Sequence, residues 1–189
     1  ILCTPEAHGA PPMGVTNLIS EAISLVYERL ARKGEAERLY DCTRDAKIEV
    51  FLDQLGIVRD AHTTWWEIVD ALFERGFHEQ ASWAQRYAVP TLGDLAVLVN
   101  SDLRLQAKFA GLVGETQQRV TDYAYEFITA AIGRYPMLSE ATRFTIETAR
   151  VVSLNLESVA PSGSSAAKKQ SAIMYMLARH ALMSRCRIE

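Results

Sequence analysis

Four histidines and three cysteines are the side chains with which this protein could hold a metal or build a nucleophile and its base. His8, His62, His78 and His180 stand apart from one another and from Cys3, Cys42 and Cys186 at every spacing that brings ligands together on one helix or hairpin. Neither a zinc knuckle nor a disulfide framework is therefore available. No glycine-rich phosphate loop, nucleophile elbow, HExxH helix or glycine-framed pair of acids occurs. His180 falls on an apolar stripe and reads as a structural histidine. The chain is expected not to be an enzyme and to carry no metal and no cofactor. Trp65, Trp66 and Trp83 have ring faces that could stack on bases. Trp66, in step with Val69 and Phe73, reads instead as core, which turns Trp65 to the opposite flank, towards a neighbouring subunit.

The elements that would carry these residues are helices. Leu18, Ile19, Ala22, Ile23, Val26, Tyr27 and Leu30 recur at three- and four-residue steps, an apolar stripe on a helix ending near Gly34. A second helix, from about Cys42 to Leu55, turns Ile48, Phe51, Leu52 and Leu55 inward and stops at Gly56. Thr64 with Glu67 makes a capping box for a third, with Trp66, Val69, Ala71, Leu72 and Phe73 buried and Gly76 as its stop. A short fourth helix carries Trp83 and Tyr87 and ends at Pro90. Leu92 to Val99 is a fifth, with a strand as the alternative, and residues 102–113 a sixth. Val120, Tyr123, Ala124, Phe127, Ile128 and Ala131 stripe the next, which runs to Gly133. Beyond Pro136 come a helix over 138–158, a polar loop, and a C-terminal helix over 166–186 lined by Ile173, Met176, Leu177, His180 and Ala181. The expectation is an all-α fold: a single bundle of seven or eight helices over 15–189, preceded by a Pro-rich extended arm over 1–14.

With 49% apolar and 23% charged residues, the chain has the composition of one globular domain with its own core. Apolar runs fall well short of the roughly 20 residues that span a bilayer, and no basic-then-apolar signal opens the chain, so no membrane association is expected. The widely spaced, odd-numbered cysteines fit a reduced, intracellular setting. A net charge of −3 excludes a protein that coats nucleic acid by bulk positive charge, while leaving room for a local basic groove. The nearest approach to a basic cluster is Lys168, Lys169, Arg179, Arg185 and Arg187.

The segment Asp102-Leu103-Arg104-Leu105-Gln106-Ala107-Lys108-Phe109-Ala110 resembles the coat proteins of flexuous filamentous plant RNA viruses, in which a helix carries Leu-Arg followed by a basic and an aromatic residue. In that family an Asp about forty residues further on helps to define the RNA pocket; here Glu147 stands 43 positions after Arg104. The Pro-containing turn and Ala-rich helix of residues 158–182 are similar in layout to the family's C-terminal region, and WWEIVDALFERG followed by Ser82 is similar to its apolar helix and pocket serine. The resemblance implies a non-enzymatic coat or nucleocapsid subunit that polymerises helically around single-stranded RNA, located in the virion and the host cytoplasm. It implies Arg104, Lys108, Glu147 and Ser82 as RNA-binding residues. Arg104 would supply a planar fork for phosphate, Lys108 one turn later a second charge, and Glu147 would hold Arg104 or accept from a base or ribose hydroxyl. The N-terminal arm, with Ile1, Leu2, Pro11, Pro12 and Met13, would then lie in a groove of the next copy and make the chain its own partner. Residues 65–95 are also similar to the last helices of caspase-recruitment domains, which leaves a protein-interaction module of death-fold type as the alternative.

Overall fold

Asp45, Thr64, Thr91 and Asp102 each stand just before a run that can bury one face, and each is the N-cap of a helix. The side-chain oxygens of Asp45, Thr64 and Asp102 accept backbone N–H groups that the first helical turn leaves without partners, and at Thr91 the Asp94 carboxylate accepts the N–H and hydroxyl of the cap residue. In a computed structural model of the protein, residues 13–114 and 117–134 are described continuously, followed by positions 139, 155, 163, 167, 168, 171, 172, 174–176, 178 and 179. The described residues form seven α-helices: α1 (Val15–Arg29), α2 (Ala46–Gln54), α3 (Trp65–Glu74), α4 (His78–Ala88), α5 (Leu92–Ser101), α6 (Leu103–Phe109) and α7 (Val120–Arg134), with a 3-10 turn over Tyr40–Cys42. No strand occurs among them beyond the isolated antiparallel bridges Leu39–Thr64 and Val113–Arg119. The all-α expectation holds, and Leu92–Val99 is helix rather than strand. No helix of the described residues is long and apolar enough to cross a membrane.

The chain divides into two compact units, residues 13–142 and residues 1–12 with 143–189. Within the first unit the helices pack as two groups. Helices α1, α5, α6 and α7 contact one another, and α3 lies along α4 with α2 and the 3-10 turn closing their core. The seam between the groups is polar: the Trp66 indole N–H donates to the Leu30 carbonyl at 2.7 Å, Arg32 pairs with Asp70 at 2.8 Å, and Arg38 pairs with Asp94.

Helix α1 buries Val15, Leu18, Ile19, Ala22 and Val26. Ile23 and Tyr27, assigned to the same stripe from sequence, face outwards. A stripe as wide as the sequence proposes covers about half the helix, and neighbours meet only its centre. The larger correction is in α3. Its buried residues are Trp65, Ile68, Val69 and Leu72, whereas Phe73 is 60% exposed and Trp66 lies half-buried at the seam. Trp65 is thus core and faces no neighbouring subunit. Both series share the helical period, so periodicity alone does not choose between them. The choice falls to Tyr40 and Tyr87, whose rings take Trp65 between them at centroid distances of 4.9 and 4.6 Å, the second pair stacked.

Of the expected arm, residues 1–12 lie outside the described residues; Met13 and Gly14 form the turn into α1. Gly14 has φ +96°, a backbone conformation that favours glycine, and the end of the Leu112 side chain packs close to it. The expected helix over 138–158 falls almost wholly outside the described residues. In the C-terminal segment, positions 167, 168, 171, 172, 174–176, 178 and 179 are helical; Met174 is buried, Met176, expected inward, is 70% exposed, and Ile173, Leu177, His180 and Ala181 lie outside the described residues.

Asp45 ties α2 to α4. One carboxylate oxygen accepts the Lys47 and Ile48 N–H groups at 2.9 and 3.0 Å and the other accepts the Tyr87 hydroxyl. Burial pushes its pKa up, but the hydrogen bonds from Tyr87, Ile48, Lys47 and Trp83 outweigh it and hold the group below the usual aspartate value.

Two outcomes follow for stability. Trp65→Ala is expected to cost about 3–5 kcal/mol in urea unfolding followed by circular dichroism, and Phe73→Ala less than about 0.5 kcal/mol. Because the folded pKa of Asp45 is depressed, its contribution is complete above the unfolded value and is lost as pH falls through the folded one. Asp45→Asn should therefore be less stable than wild type at neutral pH, with the gap closing below about pH 4.

Candidate nucleic-acid interface

Helix α6 is short, and its direction is set at its first residue. The Asp102 side chain is only 3% exposed. Its Oδ1 accepts the Leu105 N–H at 2.8 Å, capping the helix, and its Oδ2 accepts Arg29 Nη2 at 2.8 Å. Arg29 Nε lies 2.7 Å from Glu35 Oε1, at an angle that makes the contact a charge pair rather than a hydrogen bond. Leu105 and Phe109, one turn apart, are buried, and the Gln106 amide donates to the Val99 carbonyl at 2.7 Å. Leu103, Arg104, Ala107 and Lys108 are left on the outer face.

Three contacts show how the α6 segment runs along α1 and its N-cap. Gly14 abuts Leu112, Glu21 meets Lys108, and Arg29 meets Asp102. Numbers rise along one helix as they fall along the other, so the pair is antiparallel.

On this face Arg104 and Lys108 stand one turn apart, as the sequence implies, but in different electrostatic states. Lys108 Nζ is held by both oxygens of Glu21, at 2.6 and 2.8 Å. Arg104 is exposed and, among the described residues, has no hydrogen-bond or ion-pair partner. By contrast Arg29, Arg32, Arg38, Arg44, Arg59 and Arg119 each meet a carboxylate. Ser82 is exposed on α4, in the other helix group, so it does not share the α6 face. Glu147 lies outside the described residues.

Comparison with protein-family models, with curated proteins and with solved structures returned no match. The site therefore rests on its own geometry.

The tryptophans offer less than their sequence suggests. Trp65 is inside, Arg32 lies over the Trp66 ring at 5.0 Å, and Lys47 and Arg86 lie over Trp83 at 5.2 and 5.3 Å. An open depression of about 330 Å³ is lined by Arg32, Asp70, Phe73 and Glu74. No three His, Cys, Asp or Glu residues converge on a possible metal position among the described residues.

The residues that sequence reasoning passed over are Asp102, Arg29 and Glu21. Asp102 carried a legible signal, since an Asp placed three residues before an apolar core position is an N-cap candidate. Its partner did not, because Arg29 is 73 residues away. Removing Asp102 takes away both the cap of α6 and the buried carboxylate that meets Arg29, which then keeps only the exposed Glu35. Asp102→Ala should therefore destabilise the protein by about 3–5 kcal/mol, measured by chemical unfolding monitored at the helical circular-dichroism band.

Proposed function

We propose that this chain is a non-enzymatic coat or nucleocapsid subunit that assembles with copies of itself on single-stranded RNA, in a virion and in the host cytoplasm. The outer face of α6 is its contact with the RNA backbone. The observation that carries this reading is the state of Arg104: a planar, permanently charged group that projects from an anchored helix and lacks a carboxylate partner among the described residues, whereas Arg29, Arg32, Arg38, Arg44, Arg59 and Arg119 each have one. The helix beneath it is already fixed, so meeting a phosphate orders only the side chain and not the backbone.

Phosphate contacts carry no sequence information, so the face suits a protein that packages RNA without reading it. A net charge of −3 is compatible with this, since a polymer repeats each subunit's few cations along the strand. Self-association has support in the outward pair Ile23 and Tyr27 on α1 and in Leu103, 82% exposed beside Arg104, all large apolar groups left to water in a single copy.

Purified protein is expected to form RNA-containing filaments, seen by negative-stain electron microscopy and by the ratio of absorbance at 260 and 280 nm. Arg104→Ala should weaken binding to a single-stranded oligonucleotide by about tenfold. It should also flatten the dependence of log affinity on log salt by about 0.7, the value for one lost contact on a single strand. A nucleic-acid-free monomer that captures a protein partner would instead favour the interaction-module alternative.

A further inference from the structure

The Glu21–Lys108 pair lies where RNA is proposed to bind, and it joins the two helices whose relative placement is already fixed at Gly14 with Leu112 and at Arg29 with Asp102. The pair is therefore not needed to hold α1 against α6. The Lys108 and Glu21 side chains are 61% and 38% exposed, so water screens the attraction. An exposed pair of this kind is held by no more than about a fivefold preference over the separated groups. In that same position Lys108 Nζ lies 5.9 Å from the centre of the Phe109 ring, a weak contact that does not depend on the carboxylate. Opening the pair requires only side-chain rotation, because Lys108 follows buried Leu105 and precedes buried Phe109 on a capped helix.

We propose that Glu21 is a built-in competitor of RNA phosphate for Lys108, so that the α6 face offers one free cation, Arg104, until phosphate displaces the carboxylate and adds the second. The proposal rests on the RNA-binding reading of α6. Glu21 presents both oxygens to the ammonium at 2.6 and 2.8 Å, much as a phosphate would with two of its own. Arg104, one turn away on the same face, is close enough for a phosphate bound to it to present an oxygen to Lys108. A strand carrying a phosphate at every nucleotide brings a high local concentration of the competing anion once Arg104 has engaged it. Affinity is thereby set below what the two cations could give, which leaves a subunit able to release and rebind while neighbours are being added.

The test is the affinity of the full-length chain for a labelled oligouridine, followed by fluorescence anisotropy over a salt series. Glu21→Gln should bind about two- to fivefold more tightly than wild type at low salt. Glu21→Asp, which draws the carboxylate back by one methylene, should give a smaller gain. In a Lys108→Gln background, Glu21→Gln should have no effect. Glu28→Gln removes an exposed acid two turns along the same face of α1 and should leave affinity near wild type. Unchanged binding in Glu21→Gln, a gain that persists without Lys108, or an equal gain in Glu28→Gln would each overturn the competitor role. If wild type and Glu21→Gln both fail to bind oligouridine, the RNA reading itself falls.

Discussion

A carboxylate withdrawn from water has to be answered where it lies, and the answer to Asp102 organises half of this protein. Its two oxygens are shared between a helix terminus and a guanidinium, so one side chain both starts α6 and attaches it to the end of α1. The same residue closes α5, where its own backbone N–H reaches the Leu98 carbonyl at 2.9 Å. Three helices thus meet at a single anion. The burial of Leu105 and Phe109, the outward direction of Arg104 and Lys108, and the antiparallel run of α6 along α1 follow from that junction. A hydrophobic contact in its place could hold the helices together but would not fix the rotation of so short a helix, since apolar packing is non-directional.

Local signals were legible in the sequence, and long-range choices were not. The Thr64 and Glu67 capping box forms as read, with Glu67 Oε2 accepting the Thr64 N–H at 2.7 Å, and Gly56 and Gly76 adopt the positive φ that suits their places after α2 and α3. Those features depend on residues a few positions apart. Which tryptophan enters the core depends on Tyr40 and Tyr87, which come from other elements, and the apolar period of α3 accommodates Trp65 and Trp66 equally. The candidate site divides in the same way. Arg104 and Lys108 share a face because they are four residues apart on one helix, whereas the acid that occupies Lys108 is 87 residues away and had no signature in the sequence.

Much of the positive charge among the described residues is answered by carboxylates of the same chain. Among the described residues, six arginines on the loops and helices meet nearby or distant carboxylates, and two of them, Arg32 and Arg59, also lie over aromatic rings. An anion approaching such a surface is guided less by the long-range field than by the few groups left unanswered, which favours contacts that form only after close approach.

All three tryptophans belong to the group of helices around α3, and α1, α5, α6 and α7 contain none. Intrinsic fluorescence is therefore a one-sided observer of this molecule. Trp65, enclosed by two tyrosine rings, reports the integrity of the α3–α4 core, and Trp66, bonded to the Leu30 carbonyl, reports the seam where the two groups join. Loosening of α6 that left the seam closed would pass without a change in tryptophan fluorescence.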